Sequence, residues 1–366
     1  MRHNQNKAFF ELLIAGMWKR EVKLGISGST DFWEIMRLAE EQSVVGLVTA
    51  GLERVKDVKV HKEVILKFIG STLQIEQQNK GMNAFVEILI EILRRNGVYA
   101  LIVKGQGLAQ CYERPLWRSC GDVDLLLSTD NYNAAKDVLI PMASSVEEED
   151  KKRKHLGLVI QDWVVELHGT LFTRQLTRVN RVLDEAQRSV FYEGRVRSWM
   201  NGRTQVFLPA PDEDVVFVFS HIIQHFFGGG VGLRQVCDWC RLLWTYRSCL
   251  DYRLLESRFR RMKMLTEWKA FAALAVNWLG MPEEAMPMYN SSACWKRKAD
   301  KIVSFILETG NFGHNRDLSF KKKSKLISNL GSLVRYTKDM IHHASIFPKD
   351  SLMVWGRMVI RGLKGE

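Results

Sequence analysis

Nowhere does this 366-residue chain hold the roughly 18 to 20 consecutive apolar residues that a membrane-spanning helix requires. Its most apolar segment, residues 215–227, is broken by His221, Gln224 and His225, so no membrane partner is expected. Residues 1–7 lack the apolar stretch and small-residue cleavage site of a secretion signal, and Glu11 interrupts the apolar residues that follow. A cytoplasmic location is expected. Cysteine is sparse: Cys111, Cys120, Cys237, Cys240, Cys249 and Cys294 are irregularly spaced and suggest no disulfide framework. Cys237 and Cys240 stand at redox or metal spacing, but no second pair lies at zinc spacing, and both read as buried helix cysteines. An H-E-x-x-H zinc motif is absent, and so is any internal repeat.

With 46% hydrophobic residues, the chain can bury a sizeable core and is long enough for two or three structural units. Fifty-three Lys and Arg against 41 Asp and Glu give a net charge of +12. The excess is concentrated late: residues 295–366 hold 15 basic and 6 acidic side chains, with runs Lys296-Arg297-Lys298 and Lys321-Lys322-Lys323. Such a surface attracts nucleotides, nucleic acid or other polyanions, although lysine runs are more often solvated helix faces. By itself the surplus selects no partner.

Apolar periodicity divides the chain in three. Residues 1–97 read as helices at 7–19, at 31–42 and in one or more segments ending near Asn96. Ser29 and Thr30 are capping candidates for the second, with Asp31 in its first turn. Phe85, Ile88, Leu89, Ile92 and Leu93 fall on one helical stripe of 81–95. Residues 98–208 read as an α/β unit: a strand at 98–103, a short helix at 108–112, a strand at 121–127, a helix at 131–139 and a charged loop at 147–154. A hairpin follows, with arms 155–160 and 163–167 about Gln161-Asp162. From Pro209-Ala210-Pro211 through 366 the pattern is helical again, with Asp212 near a cap, a stripe through Val215, Val218, Phe219 and Ile222, and a helix at 233–244. The predicted class is α+β, a small mixed-sheet core flanked by helical regions.

One constellation carries chemistry. A strand ends at Lys104-Gly105-Gln106-Gly107, the next begins with Asp122-Val123-Asp124, and a later one holds Glu166 and His168. Side chains alternate along a strand, so Asp122 and Asp124 share a face opposite Val123 and Leu125, and His168 shares a face with Glu166, a candidate to touch the nucleotide substrate or orient the acid and equally a structural histidine. Paired carboxylates and a third acid suit a hard divalent cation and hence nucleotidyl transfer, with Glu166 completing the cluster and orienting or deprotonating an attacking hydroxyl. An isolated Asp-x-Asp would be read as ordinary strand-end acids; the order of the whole set gives the reading its weight. Gly105 and Gln106 offer backbone N–H groups at a helix start, and Lys104 a point charge, for a triphosphate. Arg118 is a candidate either for a phosphate or for an acid partner, in equal measure. His221 and His225, one turn apart, are read as structural more readily than as ligands, and Arg234 with Asp238 as a helix pair.

These segments, Val103-Lys104-Gly105, Arg118 to Leu126, Val165 to His168 and Leu233 to Trp239, together resemble an uncharacterised bacterial nucleotidyltransferase family of the DNA polymerase β-like superfamily. The resemblance covers roughly residues 30–250. It implies a small mixed sheet with flanking helices, Mg2+ or Mn2+ as cofactor, and a nucleoside triphosphate as donor. Carried over by motif, Asp122 and Asp124 match the paired metal ligands and Glu166 the third carboxylate. One departure is Gln106, where the superfamily's turn usually has Ser or Gly after the first glycine. The acceptor expected is a sugar, a metabolite, a protein side chain or an RNA end. The competing expectations are a nucleotide- or RNA-binding protein that keeps the fold without turnover, and a helical scaffold in which the acids are incidental.

Overall fold

The computed structural model describes residues 2–25, 31–173, 177–316 and 325–364. Helices α1 (Arg2–Trp18), α2 (Phe32–Glu41), α3 (Val45–Leu52) and the 34-residue α4 (Lys62–Arg95) precede the sheet. Asp31 caps α2 itself, accepting from the N–H groups of Trp33 and Glu34; Ser29 and Thr30, the expected caps, lie outside the described residues. On α4 the buried stripe runs through Met82, Phe85, Val86, Leu89, Ile90 and Leu93, whereas Ile88, expected on it, is exposed.

Strand β1 (Ala100–Val103) leads into α5 (Gly105–Ala109), which begins at the glycine turn, earlier than the helix expected at 108–112. Strand β2 (Asp122–Leu127), α6 (Thr129–Leu139), β3 (Ala143–Val146), β4 (His155–Ile160) and β5 (Trp163–His168) complete a five-stranded sheet of order β1-β2-β5-β4-β3. β2 runs antiparallel to β1 and parallel to β5, and β5 runs antiparallel to β4. The sheet is therefore mixed, and the fold is α+β as the sequence indicates. Helix α7 (Thr177–Tyr192) and a separate hairpin of β6 (Val196–Asn201) and β7 (Thr204–Pro209) follow; sequence periodicity did not mark this hairpin.

The remaining helices are α8 (Pro211–Gly228), α9 (Leu233–Tyr246), α10 (Tyr252–Met262), α11 (Leu265–Leu279), α12 (Ala293–Thr309), α13 (Lys325–Ala344) and α14 (Pro348–Lys364). Pro211 opens α8, where its missing N–H and fixed φ cost nothing. The run Lys321-Lys322-Lys323 lies outside the described residues. Among the described residues no helix is long and apolar enough to cross a membrane.

Two apolar cores meet at the sheet. Val123, Leu125 and Leu127 of β2, with Val165 and Leu167 of β5, pack under α4 and α6 against Phe85, Leu89, Tyr132 and Leu139. Leu126 points the other way, into a core that also contains Phe9, Leu13, Val218, Phe219, Trp239, Trp268 and Phe347. Helices from both ends of the chain thus share one core, and the opposite face of β2 looks toward it.

The approach to β2 is held by a backbone contact. Gly46 of α3 lies so close to the chain at Trp117 that a Cβ there would sit 2.1 Å from the Trp117 carbonyl oxygen. Gly46→Ala must displace the segment that feeds Asp122 into the sheet. The expected loss is about 1–3 kcal/mol of stability, read as a lower urea midpoint at unchanged m-value; an unshifted midpoint would show that the crossing is looser than described.

Candidate active site

β2 and β5 pair in register so that Asp124 lies opposite Glu166 and Asp122 opposite Val164. Alternation then places Asp122, Asp124, Glu166 and His168 on one face. Asp122, Asp124 and Glu166 each present a carboxylate oxygen, all within 4.8 Å of one another. Across the other edge of β2, Val103 pairs with Asp124, which delivers the next residue, Lys104, to the same place. Its Nζ lies 2.6 Å from Asp124 Oδ1. The Lys104 backbone has φ of 55°, a region costly for a residue with a side chain, and Gly105 follows at φ of 32°. That strained bend turns the chain from β1 into α5 directly beside the acids.

Asp124 is buried, and its Oδ1 also accepts from His168 Nε2 at 2.8 Å. Glu166 is engaged by two imidazoles: His155 Nε2 lies 3.2 Å from its Oε2 and His168 Nε2 lies 3.4 Å away. Burial alone would raise the Glu166 carboxyl, but those two contacts and the Lys104 charge hold it below the usual carboxylate range. Asp122 is pushed up, first by the neighbouring Asp124 charge and then by burial, against the pull of Lys104. The Lys104 ammonium is disfavoured by burial yet held above its ordinary pKa by Asp124, Glu166 and Asp122. Like-charge crowding is therefore only partly relieved within the chain.

An all-oxygen cluster of this size is the donor set that hard divalent cations such as Mg2+ and Mn2+ take, and the raised Asp122 is the conflict such a charge removes. These residues fit that group. His155, Glu166 and His168 form a second set with ligand atoms within 4.8 Å of one another. Both imidazoles there already contact carboxylates, so the simpler role is to orient Glu166 and Asp124.

Not every expected residue faces this cluster. The Gln106 side chain is buried, with its amide nitrogen against Met82 Sδ, and it is absent from the cavity wall. The fork of Arg118 is spent on Asp238, with Nη2 to Oδ2 at 2.6 Å and Nε to Oδ1 at 3.1 Å, so the acid-partner alternative is the one adopted. Tyr112 donates to the same carboxylate at 2.7 Å. The expected Arg234–Asp238 pair does not form; Arg234 Nη1 instead donates to the Ser119 carbonyl at 2.7 Å. Among the described residues Arg234 Nε has no hydrogen-bond partner, and Arg234 lines the cavity, near enough to Asp122 to sense its charge. An arginine dismissed as a helix pair thus holds the unspent donor. His155 was also missed, although the two-residue turn fixes the hairpin register and sets His155 opposite His168. Counting back from Gln161-Asp162 would have found it.

The acids open into a cavity of about 1150 Å3 that Lys104, His168, His221, His225 and Arg234 also line. His221 and His225 meet through their Nε2 atoms at 3.0 Å. Burial first, and the Lys104 charge second, lower His221 well below its ordinary value and push His225 down to about 4. In the unfolded chain an imidazole titrates near 6.5. Between pH ~6.5 and about 4 the unfolded state therefore binds a proton at His225 that the folded state refuses, and stability falls as pH falls through that window. Urea unfolding at pH 7 and pH 5 should show a smaller loss for His225→Gln than for the unaltered protein; parallel losses would remove His225 from the account.

The sequence matches the profile of a family described as "uncharacterised nucleotidyltransferase" across residues 28–280. No curated protein and no solved structure matches the chain. The matched span runs from the α2 cap through the whole sheet and the acid cluster to the end of α11, and the chain belongs to this uncharacterised nucleotidyltransferase family.

Proposed function

We propose that the protein is a metal-dependent nucleotidyltransferase of the polymerase β-like kind, which moves a nucleoside monophosphate from a nucleoside triphosphate to an acceptor and releases pyrophosphate. The observation that carries this reading is the register pairing of Asp124 with Glu166, with Asp122 on the same face and all three lining the cavity. Asp122, Asp124 and Glu166 would hold Mg2+ or Mn2+. When bound, the divalent cation supplies positive charge that neutralises the phosphates and stabilises the charge that develops on them.

The chain's own groups do the rest. Lys104, at the bend before α5, brings its ammonium to the triphosphate, and Arg234 offers its unpartnered Nε to the same anion. His155 and His168 fix the Glu166 carboxylate toward the acceptor oxygen. In the transfer, the acceptor oxygen forms a bond to the α-phosphorus while the bond from that phosphorus to the bridging oxygen breaks. Pyrophosphate leaves with the electron pair, and Glu166 takes the acceptor proton. Arg118 acts at one remove, through its clasp on Asp238, which ties the segment before β2 to α9.

Mg2+ with a nucleoside triphosphate is expected to raise the melting temperature, and Asp124→Asn to abolish the rise. No rise with any of the common triphosphates would reject the assignment. Glu166→Gln is expected to cut turnover of radiolabelled triphosphate far more than it cuts this thermal shift; equal loss of both would take the proton-accepting role away from Glu166. Persistence of the shift with no labelled product in any extract would instead favour a binding protein that keeps the fold.

A further inference from the structure

The cavity slightly exceeds the usual range for a single ligand. Pockets that enclose a single drug-sized ligand measure about 300–1,000 Å3, whereas this one is about 1150 Å3 and extends from the acids to helices α13 and α14. Its two parts differ in character. Around Lys104, Asp122, Asp124, Glu166 and Arg234 the wall is ionic. Toward the C-terminal helices it carries fewer polar side chains and is mainly apolar, with Phe227, Met264, Leu333, Val354, Trp355 and Met358. These come from α8, the start of α11, α13 and α14, so the second part is an arm formed where four segments converge.

The arm contains acids, but they bring little net charge. Glu267 of α11 is buried, and among the described residues its Oε2 has no hydrogen-bond partner. Burial, and then the neighbouring Asp350 charge, push its carboxyl up to about 8, which favours the neutral form. Asp350 lies 3.5 Å from Arg178, whose Nε is held at 2.7 Å by the Met262 carbonyl. Arg357 of α14 also lines this part and, like Arg178, is not without a partner, so the arm offers a triphosphate less than the ionic part does. The apolar wall suits an apolar body, with the orphaned Glu267 oxygen as a polar anchor along it.

We infer that the acceptor is a hydroxyl-bearing amphiphile whose apolar body lies in the arm between α8, α13 and α14 while its hydroxyl reaches the carboxylates. The inference rests on the nucleotidyltransferase reading and names the acceptor class within it. The hydroxyl oxygen becomes bonded to the α-phosphorus, pyrophosphate departs, and the hydroxyl proton passes to Glu166. A sugar or other fully polar acceptor would leave the apolar wall wetted and gain nothing from it. The donor and acceptor occupy different parts of one cavity, so they bind together.

The test uses the full chain, the four common nucleoside triphosphates with Mg2+, and 1-decanol as the probe, with glycerol as the polar control. Calorimetry is expected to show decanol binding that persists when the triphosphate is present. Pyrophosphate release with decanol should exceed that with glycerol by about tenfold or more, and mass spectrometry should find the decyl nucleotide ester. Val354→Trp, which fills the arm, and Leu333→Gln, which makes it polar, should each remove the decanol effect while the triphosphate thermal shift stays. Two variants guard against one that folds poorly. Failure of decanol to bind, its displacement by the triphosphate, or equal rates with glycerol would each overturn the acceptor class while leaving the nucleotidyltransferase reading intact. A missing triphosphate shift in the unaltered protein would overturn the underlying reading and this inference with it.

Discussion

The parallel pairing of β2 with β5 is the contact on which the rest of the site depends. It fixes Asp124 opposite Glu166, and a slip of one residue would turn Glu166 and His168 into the core under α4 and α6. Val165 and Leu167 on the other face prevent that slip, because both are fully buried. The hydrophobic requirement of one face thus sets the chemistry of the other. Once the acids are so placed, electrostatics dictates their surroundings: three carboxylates within 4.8 Å need positive charge, and the chain answers with Lys104 and two histidines.

The strain at Lys104 belongs to the same economy of placement. A strand running straight on from Val103 would carry the lysine past the acids; the positive φ at Lys104 and Gly105 turns the chain there and starts α5. On the far side, α8 and α9 complete the wall. The buried clasp of Arg118 and Tyr112 on Asp238 binds α9 to the approach to β2, and it leaves Arg234, one turn earlier, free to face the cavity. A buried ion pair of this sort contributes little net stability but penalises any arrangement that separates its members.

Much of this was legible in the residues. The change from helical to strand periodicity at Asn96-Gly97, the glycine turn, the acid pair and the two-residue hairpin turn all sit where local chemistry predicts. The acids that periodicity put on one face do lie together. What failed was long-range partner choice. Arg234 and Asp238 stand at helical spacing, yet Asp238 is claimed by Arg118, 120 residues earlier, and no local rule reports that. Gln106 sits in the turn, but the first turn of α5 is buried and its side chain meets Met82 of α4. The β6–β7 hairpin escaped notice because β6 mixes polar and apolar residues on both faces and is largely exposed, and only packing beside β1 and α4 gives the pair a reason to form.

The central claim is that the three carboxylates bind one divalent cation beside the Lys104 bend. Anomalous diffraction from crystals grown with Mn2+ and a non-hydrolysable nucleoside triphosphate tests it most directly. The account predicts a manganese peak within bonding distance of Asp122, Asp124 and Glu166, with the phosphates on the side of Lys104. Crystals that hold the nucleotide but show no manganese at those three side chains would contradict it.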